Sequence, residues 1–514
     1  MNQKKFFIST PIYYSSGKPH IGHTYTTVIA DVLARYKRLF GYDVFFVTGM
    51  DEHGQKIQQK AEEQNTSPKA LVDQIASYFL DLWSRLDIKM TKFIRTTEMG
   101  HEEAVQKAFS YLLKQNKIYL GNWVGYYCVS CEENYNEANI IYKDDVAYCS
   151  LNHKLEQRNE ESYFYKIGEN AQFLKDYYSN NPSFILPSER VNELVNNFIN
   201  DLEDLSISRT TFDWGIPIIE NPSHVIYVWL DALLNYVTAT GYLSVNDQMF
   251  KHFWCDDNTE IVHLLSKEIA RFHCIYWPIF LKDLGIRLPS TILSHGWIIT
   301  KEGKMSKSLG NVIDPVQVIA NYGSDALRYY LMSDLGLFRD SVFSDQNLIE
   351  TFNTHLANNY GNMVTRTIGM LKKYFNYKVP KLTKVNQIIN DSIQTNKEQL
   401  INHINNFSID KAVLCVQNIL NDANKLIEES KPWELAKNNQ NEELANLMNT
   451  LVKVIHTSTV LLSPVLTKGY KQVCAQMNFK PEIITLSAID NDHLFDDHLV
   501  NEANPIFVRI NTKE

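Results

Sequence analysis

The strongest constraint on the fold comes from two apolar runs with a helical stretch between them. Lys5–Thr10 (KFFIST) and Tyr42–Thr48 (YDVFFVT) each read as a short buried strand. From about Gly22 to Phe40, the residues Ile29, Val32, Leu33 and Tyr36 recur at helical spacing, and Gly41 stands where a helix C-cap is expected. Strand, helix and strand at this separation predict a parallel βαβ unit. Strand signals of the same type return at Ser223–Trp229 and Glu260–Leu265, so the sheet is expected to be interrupted and then resumed, with strands and helices to about residue 345.

With 514 residues the chain is too long for one core, so two or more domains are expected. Apolar residues make up 44% and charged residues 21%, which excludes disorder as the default. Residues 119–168 hold three of the seven cysteines and short β-like runs, and read as an insertion with its own small fold. Residues 346–376, 383–404, 409–429 and 441–463 carry apolar side chains at three- and four-residue spacing and predict an α-helical bundle. A net charge of −9 argues against a DNA-coating protein, while leaving room for an RNA partner at a local basic patch. The N-terminus has no apolar h-region, and no run of about 18 apolar residues occurs, so a cytoplasmic protein without membrane contact is expected.

Two short motifs carry chemistry. Pro19-His20-Ile21-Gly22-His23 sits between the first strand and the helix, where free N–H groups and a positive dipole end favour phosphate. Lys304-Met305-Ser306-Lys307-Ser308, bordered by Gly303 and Gly310, suits a clamp on polyphosphate whose positive charge counts most as pyrophosphate leaves. Taken singly, each also reads as an ordinary surface feature, a histidine pair or a solvated basic loop. Together and in this order they resemble the two signature sequences of the class I aminoacyl-tRNA synthetases.

Further segments narrow the resemblance to the methionyl-tRNA synthetase family, along nearly the whole chain. They are Thr10–Tyr14, Thr48–Gly54, Val228–Ala232, Ser266–Ile269, Arg271–His273 and Lys431–Trp433. The family implies a Rossmann-like parallel-sheet catalytic domain in two halves (1–118 and 169–290). It also implies a zinc-binding connective insertion (119–168), a stem-contact region with the lysine loop (291–345), and an α-helical anticodon-binding domain (346–514). The activity implied is ligation of L-methionine to tRNA(Met), initiator tRNA included, through a methionyl-adenylate, with ATP and Mg²⁺.

By position, the resemblance makes His20, His23, Lys304 and Lys307 catalytic, and adds Gly22 and Glu268 to the ATP contacts. Asp51 pairs with the substrate ammonium. Ile12, Tyr14, Trp229, Ala232, Leu233, Tyr236, Ile269 and His273 enclose the methionine side chain, where aromatic walls suit a thioether. Each has an ordinary alternative: the aromatics as core, Asp51 as a helix N-cap. Ser266 stands where the family usually has Gly.

Cys128-x-x-Cys131 followed by Cys149 and His153 is a donor set of the type that holds tetrahedral zinc, and resembles the family's zinc knuckle. The second half is Cys-x₃-His, where relatives often have two intervening residues. Asn362 and Arg366 share one helix face, and with Trp433 match the family's anticodon readers. A polar helix face and a tryptophan anchoring a helix start are the plainer alternatives. A synthetase for isoleucine, leucine or valine would carry an editing domain that the interval from His20 to Lys304 does not accommodate. A cysteine enzyme would hold zinc in the amino-acid pocket, and a non-catalytic tRNA-binding relic would not need both signatures. A monomer is expected.

Overall fold

The structure is a computed structural model that describes residues 3–129, 133–135, 140–150, 152–301, 303–305 and 311–511. The chain divides into two compact units. One comprises Met1–Pro19, Asp43–Leu82 and Lys89–His295, the other His20–Tyr42, Trp83–Ile88 and Gly296–Glu514.

The first unit is built on a six-stranded sheet. Its strands in chain order are β1 (Lys5–Tyr14), β2 (Asp43–Asp51), β3 (Lys92–Arg95), β4 (Ile185–Leu186), β5 (Thr259–Ser266) and β6 (Thr291–His295). They lie in the order β3-β2-β1-β5-β6-β4, and all five pairings are parallel. Phe6, Phe7 and Ile8 on β1 and Leu264 and Leu265 on β5 are fully buried in succession, as strands covered on both faces must be. The order reverses between β1 and β5, and open parallel sheets bind ligands at such a switch, beyond the strands' C-terminal ends. Pro11 lies within the register shift between Ser9 and Ile12 on β1, where its missing N–H costs no ladder bond.

Two expectations change here. Ser223–Trp229 is not a strand of the parallel sheet. Asn221–Ile226 pairs antiparallel with Ser208–Arg209 and Pro217–Ile218 in a separate three-stranded sheet, and a helix begins at Val228. That helix is buried almost all round, so its sequence lacks the polar stripe that separates a helix from a strand. The edge strand β4 gave no signal, because two residues cannot establish a period. In the insertion, Ile118–Cys128 and Glu156–Tyr165 form a long antiparallel ladder, joined on its two edges by Glu133–Tyr135 and Leu205–Ser206.

The second unit holds the signature helix α1 (Ile21–Leu39) and the bundle. Gly41 follows α1 at φ +85°, its N–H donated to Arg38 O at 2.9 Å. The helical run expected over 346–376 is three pieces. Asp345–Thr351 passes into a π-helical segment, Phe352–Gly361, before the regular helix Asn362–Phe375. Gln387–Asn405, Ile409–Ser430 and Asn441–Leu462 complete the bundle close to the expected limits. In the same unit Arg328, on the helix Ser324–Ser333, is fully buried. It donates to Asp31 Oδ2 on α1 at 2.8 Å and to the carbonyls of Val465, Pro464 and Leu86 at 2.8, 2.9 and 3.2 Å. Every arm of the guanidinium is used, which is what makes a buried charge tolerable. Among the described residues, no helix is long and apolar enough to cross a membrane.

Candidate active site

The signature histidines cap α1 with their own rings. His20 is the N-cap, and its Nδ1 accepts from the Gly22 N–H at 3.1 Å, while the His20 N–H donates to His23 Nδ1 at 3.1 Å. The rings stack at 3.8 Å between centroids. Since both Nδ1 atoms accept, each neutral ring carries its proton on Nε2, as a donor. A Cβ on Gly22 would come within 2.9 Å of the His20 ring, so glycine makes room for the cap. The same helix end is tied to the region of the second signature, with Ile21 N–H donated to Ile313 O at 3.2 Å. Gly303–Lys304 pairs antiparallel with Ile298–Thr300. The side chain of Lys304, and Lys307 altogether, lie outside the described residues.

In the first unit, Asp51 is the last residue of β2, at the C-terminal edge of the sheet, with 9% of its surface exposed. Its carbonyl accepts the Ser15 N–H at 2.9 Å, which joins the end of β2 to the loop after β1. Next along the chain, the Glu52 carboxylate takes Arg95 Nε at 2.7 Å, and the Glu52 carbonyl takes Trp214 Nε1 at 2.6 Å.

The helices of this site are α2 (Met99–Lys114) and α3 (Val228–Thr238). On α3, Trp229 is half-buried and stacks on Phe272, with centroids 3.6 Å apart, while Ala232, Leu233 and Tyr236 are buried. Ile12, Trp229 and Ile269 are partly buried and pack on the cluster that contains Leu233 and Tyr236. Tyr14 is half-buried, with Lys56 Nζ 5.6 Å from its ring centre.

The polar atoms packed between α3 and the turn after β5 have fixed roles. His273 Nδ1 faces Ile269 O at 3.0 Å, and a carbonyl only accepts, so Nδ1 carries the proton. Nε2 is then the acceptor for the Tyr236 hydroxyl at 2.6 Å. Burial pushes His273 down to about 4, so it is neutral at physiological pH. Burial, with a contribution from nearby Asp51, holds the Tyr236 hydroxyl protonated. Glu268 is exposed on the short turn after β5.

Sequence reasoning missed a buried cluster beside this pocket. Asp231, on α3, receives His53 Nδ1 and His101 Nε2, each at 2.7 Å. His101 lies on α2, and its Nδ1 meets Thr238 Oγ1 at 2.7 Å. His53 and Asp231 stand in the family-like segments Thr48–Gly54 and Val228–Ala232, but nothing in the sequence pairs them.

In the insertion, one donor atom each from Cys128, Cys149 and His153 lies within 4.8 Å of the others, with both thiols buried. Cys128 Sγ and His153 Nδ1 are 3.9 Å apart. Cys149 N–H donates to His153 O at 2.9 Å, and Asn152 sits at φ +63°. Donors at these separations fit around a zinc ion with bonds of about 2.0–2.3 Å. Cys131 lies outside the described residues.

Of the bundle positions, Asn362 is exposed, Arg366 is half-buried on the same helix, and Trp433 opens the short helix Pro432–Lys437 with 52% of its surface exposed. That exposure sets Trp433 apart from the core aromatics.

A parallel sheet with its switch beside β1, a histidine-capped helix following that strand, and a lysine loop far downstream are the marks of a class I aminoacyl-tRNA synthetase. A family described as "tRNA synthetases class I (M)" matches residues 6–143 and 143–368. The methionine–tRNA ligase of Ureaplasma parvum serovar 3 is 67% identical over 99% of this chain and 99% of its own length. That of Lactococcus lactis is 43% identical over 99% of this chain and 78% of its own. The structure of Mycobacterium tuberculosis methionyl-tRNA synthetase in complex with methionyl-adenylate superimposes with a TM-score of 0.94 at 32% identity, covering 99% of this chain and all of that one. The chain belongs to the methionyl-tRNA synthetase family.

Proposed function

We propose that the chain ligates methionine to tRNA(Met) in two steps, with the residues above in the following roles. The methionine carboxylate attacks the α-phosphorus of ATP and pyrophosphate leaves. The 3′-terminal ribose hydroxyl of the tRNA then attacks the resulting mixed anhydride and AMP leaves. No group on the protein is covalently modified, so catalysis is positioning and charge stabilisation.

His20 and His23 offer Nε2–H donors to the ATP phosphates at the positive end of α1. Lys304 and Lys307 carry charge to the departing pyrophosphate, and Mg²⁺ brought with ATP neutralises the polyphosphate. Glu268 hydrogen-bonds the ribose. Asp51 holds the methionine ammonium, and Ile12, Tyr14, Trp229, Ala232, Leu233, Tyr236, Ile269 and His273 surround its side chain. Because the Tyr236 proton is committed to His273, the hydroxyl oxygen presents lone pairs rather than a donor. Asn362, Arg366 and Trp433 read the anticodon by stacking and base-edge contacts. Cys128, Cys149 and His153, with Cys131 as the fourth donor, would hold a zinc ion that fixes the small insertion. We place the reaction in the cytoplasm.

The observation that carries this reading is the near full-length likeness to a methionyl-tRNA synthetase solved with methionyl-adenylate. Methionine-dependent exchange of pyrophosphate into ATP tests the first step, and charging of tRNA(Met) the second. Exchange that proceeds without methionine, or equally well with leucine or cysteine, would overturn it.

A further inference from the structure

Three side chains far apart in sequence, His53, His101 and Asp231, meet out of water in the first unit. Asp231 is fully buried and His53 and His101 nearly so. An ionised carboxylate only accepts, so both imidazole nitrogens that face it donate. Each oxygen of Asp231 is used once. His53 Nε2 in turn lies 3.5 Å from Glu102 Oε1 on α2, and its ring stands edge-on to Trp214, with centroids 5.6 Å apart.

The connectivity of these bonds points to a purpose. His53 is two residues beyond Asp51, in the turn that ends at Gly54 (φ +115°). Asp231 lies in the first turn of α3, between Trp229 and Ala232. The His53–Asp231 bond therefore ties the turn that carries the ammonium-binding carboxylate to the helix that forms the side-chain wall. His101 braces the same carboxylate from α2 and reaches Thr238 at the far end of α3. A buried ionic cluster is a poor stability device, since apolar side chains of similar volume hold layers together without the desolvation cost. What it adds over apolar packing is direction and distance.

We propose that Asp231 is a positioning residue for methionine, setting through His53 the separation between Asp51 and the α3 wall. This rests on the reading of Asp51 and α3 as the methionine pocket. Recognition of one amino acid needs both ends of the substrate held at a fixed spacing, and neither β2 nor α3 fixes that spacing alone. Asp231 does not touch substrate. Its loss lets the two ends of the pocket drift, which weakens methionine binding and leaves the ATP contacts on α1 unaffected.

The test is pyrophosphate exchange with Asp231→Ala, Asp231→Asn and Trp229→Ala, with KM measured separately for methionine and ATP. Asp231→Ala raises the methionine KM on the order of tenfold or more, as expected when buried donors lose their acceptor. Its ATP KM stays within about twofold of the parent value. Asp231→Asn, which keeps the shape and one acceptor, falls between. An unchanged methionine KM, or methionine and ATP KM rising together, overturns the proposal. If Asp231→Ala does not fold, Asp231→Asn decides by the same split. Trp229→Ala distinguishes failure of the pocket from failure of the positioning role. If it leaves the methionine KM unchanged, the pocket reading itself fails. If it raises that KM while the Asp231 variants do not, only the positioning role fails.

Discussion

The Tyr236 hydroxyl donates to His273 Nε2 at 2.6 Å, and this bond exists only while His273 is neutral. Burial keeps it so, with its proton-binding pushed down to about 4. On the proposed role of both side chains in holding methionine, its KM in the exchange reaction is flat from pH 6 to 8 and rises only as pH approaches the mid-fours. His273→Phe removes the acceptor and raises methionine KM about tenfold, the cost of leaving a buried hydroxyl without its partner. A pH-dependent step in methionine KM centred between pH 6 and 7 would contradict a neutral His273.

Two histidines of the first unit bend stability in opposite directions with pH. The unfolded imidazole titrates near 6.5, so below that pH the unfolded chain takes a proton that folded His273 refuses. The stability due to neutral His273 is complete above about 6.5 and is lost as pH falls toward 4. His53 is the reverse. Burial opposes its charge, but Asp231, helped by Glu102, outweighs burial and lifts it to about 10. Its contribution is complete below about 6.5 and is lost as pH rises toward 10. Melting midpoints across pH 4.5–9.5 should form a dome. His273→Gln flattens the acid side, and Asp231→Asn flattens the alkaline side. A variant curve parallel to the parent's on the relevant side would refute the assignment.

In the second unit, Arg328 and Asp31 form a fully buried pair. Asp31→Ala leaves the guanidinium charge buried with carbonyls only and should cost about 3–5 kcal/mol, read as a lowered melting midpoint. Arg328→Lys should not rescue, because one ammonium cannot reach the four acceptors that the guanidinium fork spans. Wild-type melting of Arg328→Lys would show that the pair is dispensable.

How much of this was legible in sequence depends on the range of the signal. The βαβ start was legible because β1 and β2 are unbroken apolar runs on either side of α1, which carries a helical period, and the bundle helices were legible from the same period. Ser223–Trp229 was assigned to the wrong sheet, because a short apolar run does not name its partner strands, and its last two residues already belong to α3. The π segment Phe352–Gly361 was invisible, since its buried Phe352, Leu356 and Tyr360 recur every four positions, a spacing that an α-helix shares. The His20–His23 cap lay within one motif and could be singled out, although its reciprocal Nδ1 bonds could not. The His53–Asp231–His101 cluster joins positions 178 and 130 residues apart, and no local rule reports such a meeting.

The insertion should bind one zinc ion per chain. Among the described residues its cluster of buried hydrophobic side chains is small (Cys128, Ala147, Cys149 and Leu155, with Tyr126, Tyr135 and Ile140 against it), so the donors are expected to supply much of its order. Metal analysis of protein purified without chelator should return about one equivalent of zinc. His153→Ala should lower occupancy and raise protease sensitivity between residues 119 and 168. Metal-free protein with an unchanged cleavage pattern would rule the site out.

Trp433→Ala separates the two halves of the reaction. The ring is half exposed at the start of Pro432–Lys437, so its removal leaves no cavity in the bundle core. Pyrophosphate exchange uses no tRNA and should be unchanged, with the melting midpoint unaltered. On the proposed anticodon role of Trp433, charging should fall, because loss of one base-stacking aromatic costs about 1–3 kcal/mol, or roughly five- to 150-fold in kcat/KM for tRNA. Changing the CAU anticodon should produce a similar selective loss in the parent enzyme and little further loss in the variant. Equal loss of exchange and charging in a well-folded variant would assign Trp433 to the fold, and full charging would remove it from the anticodon contact.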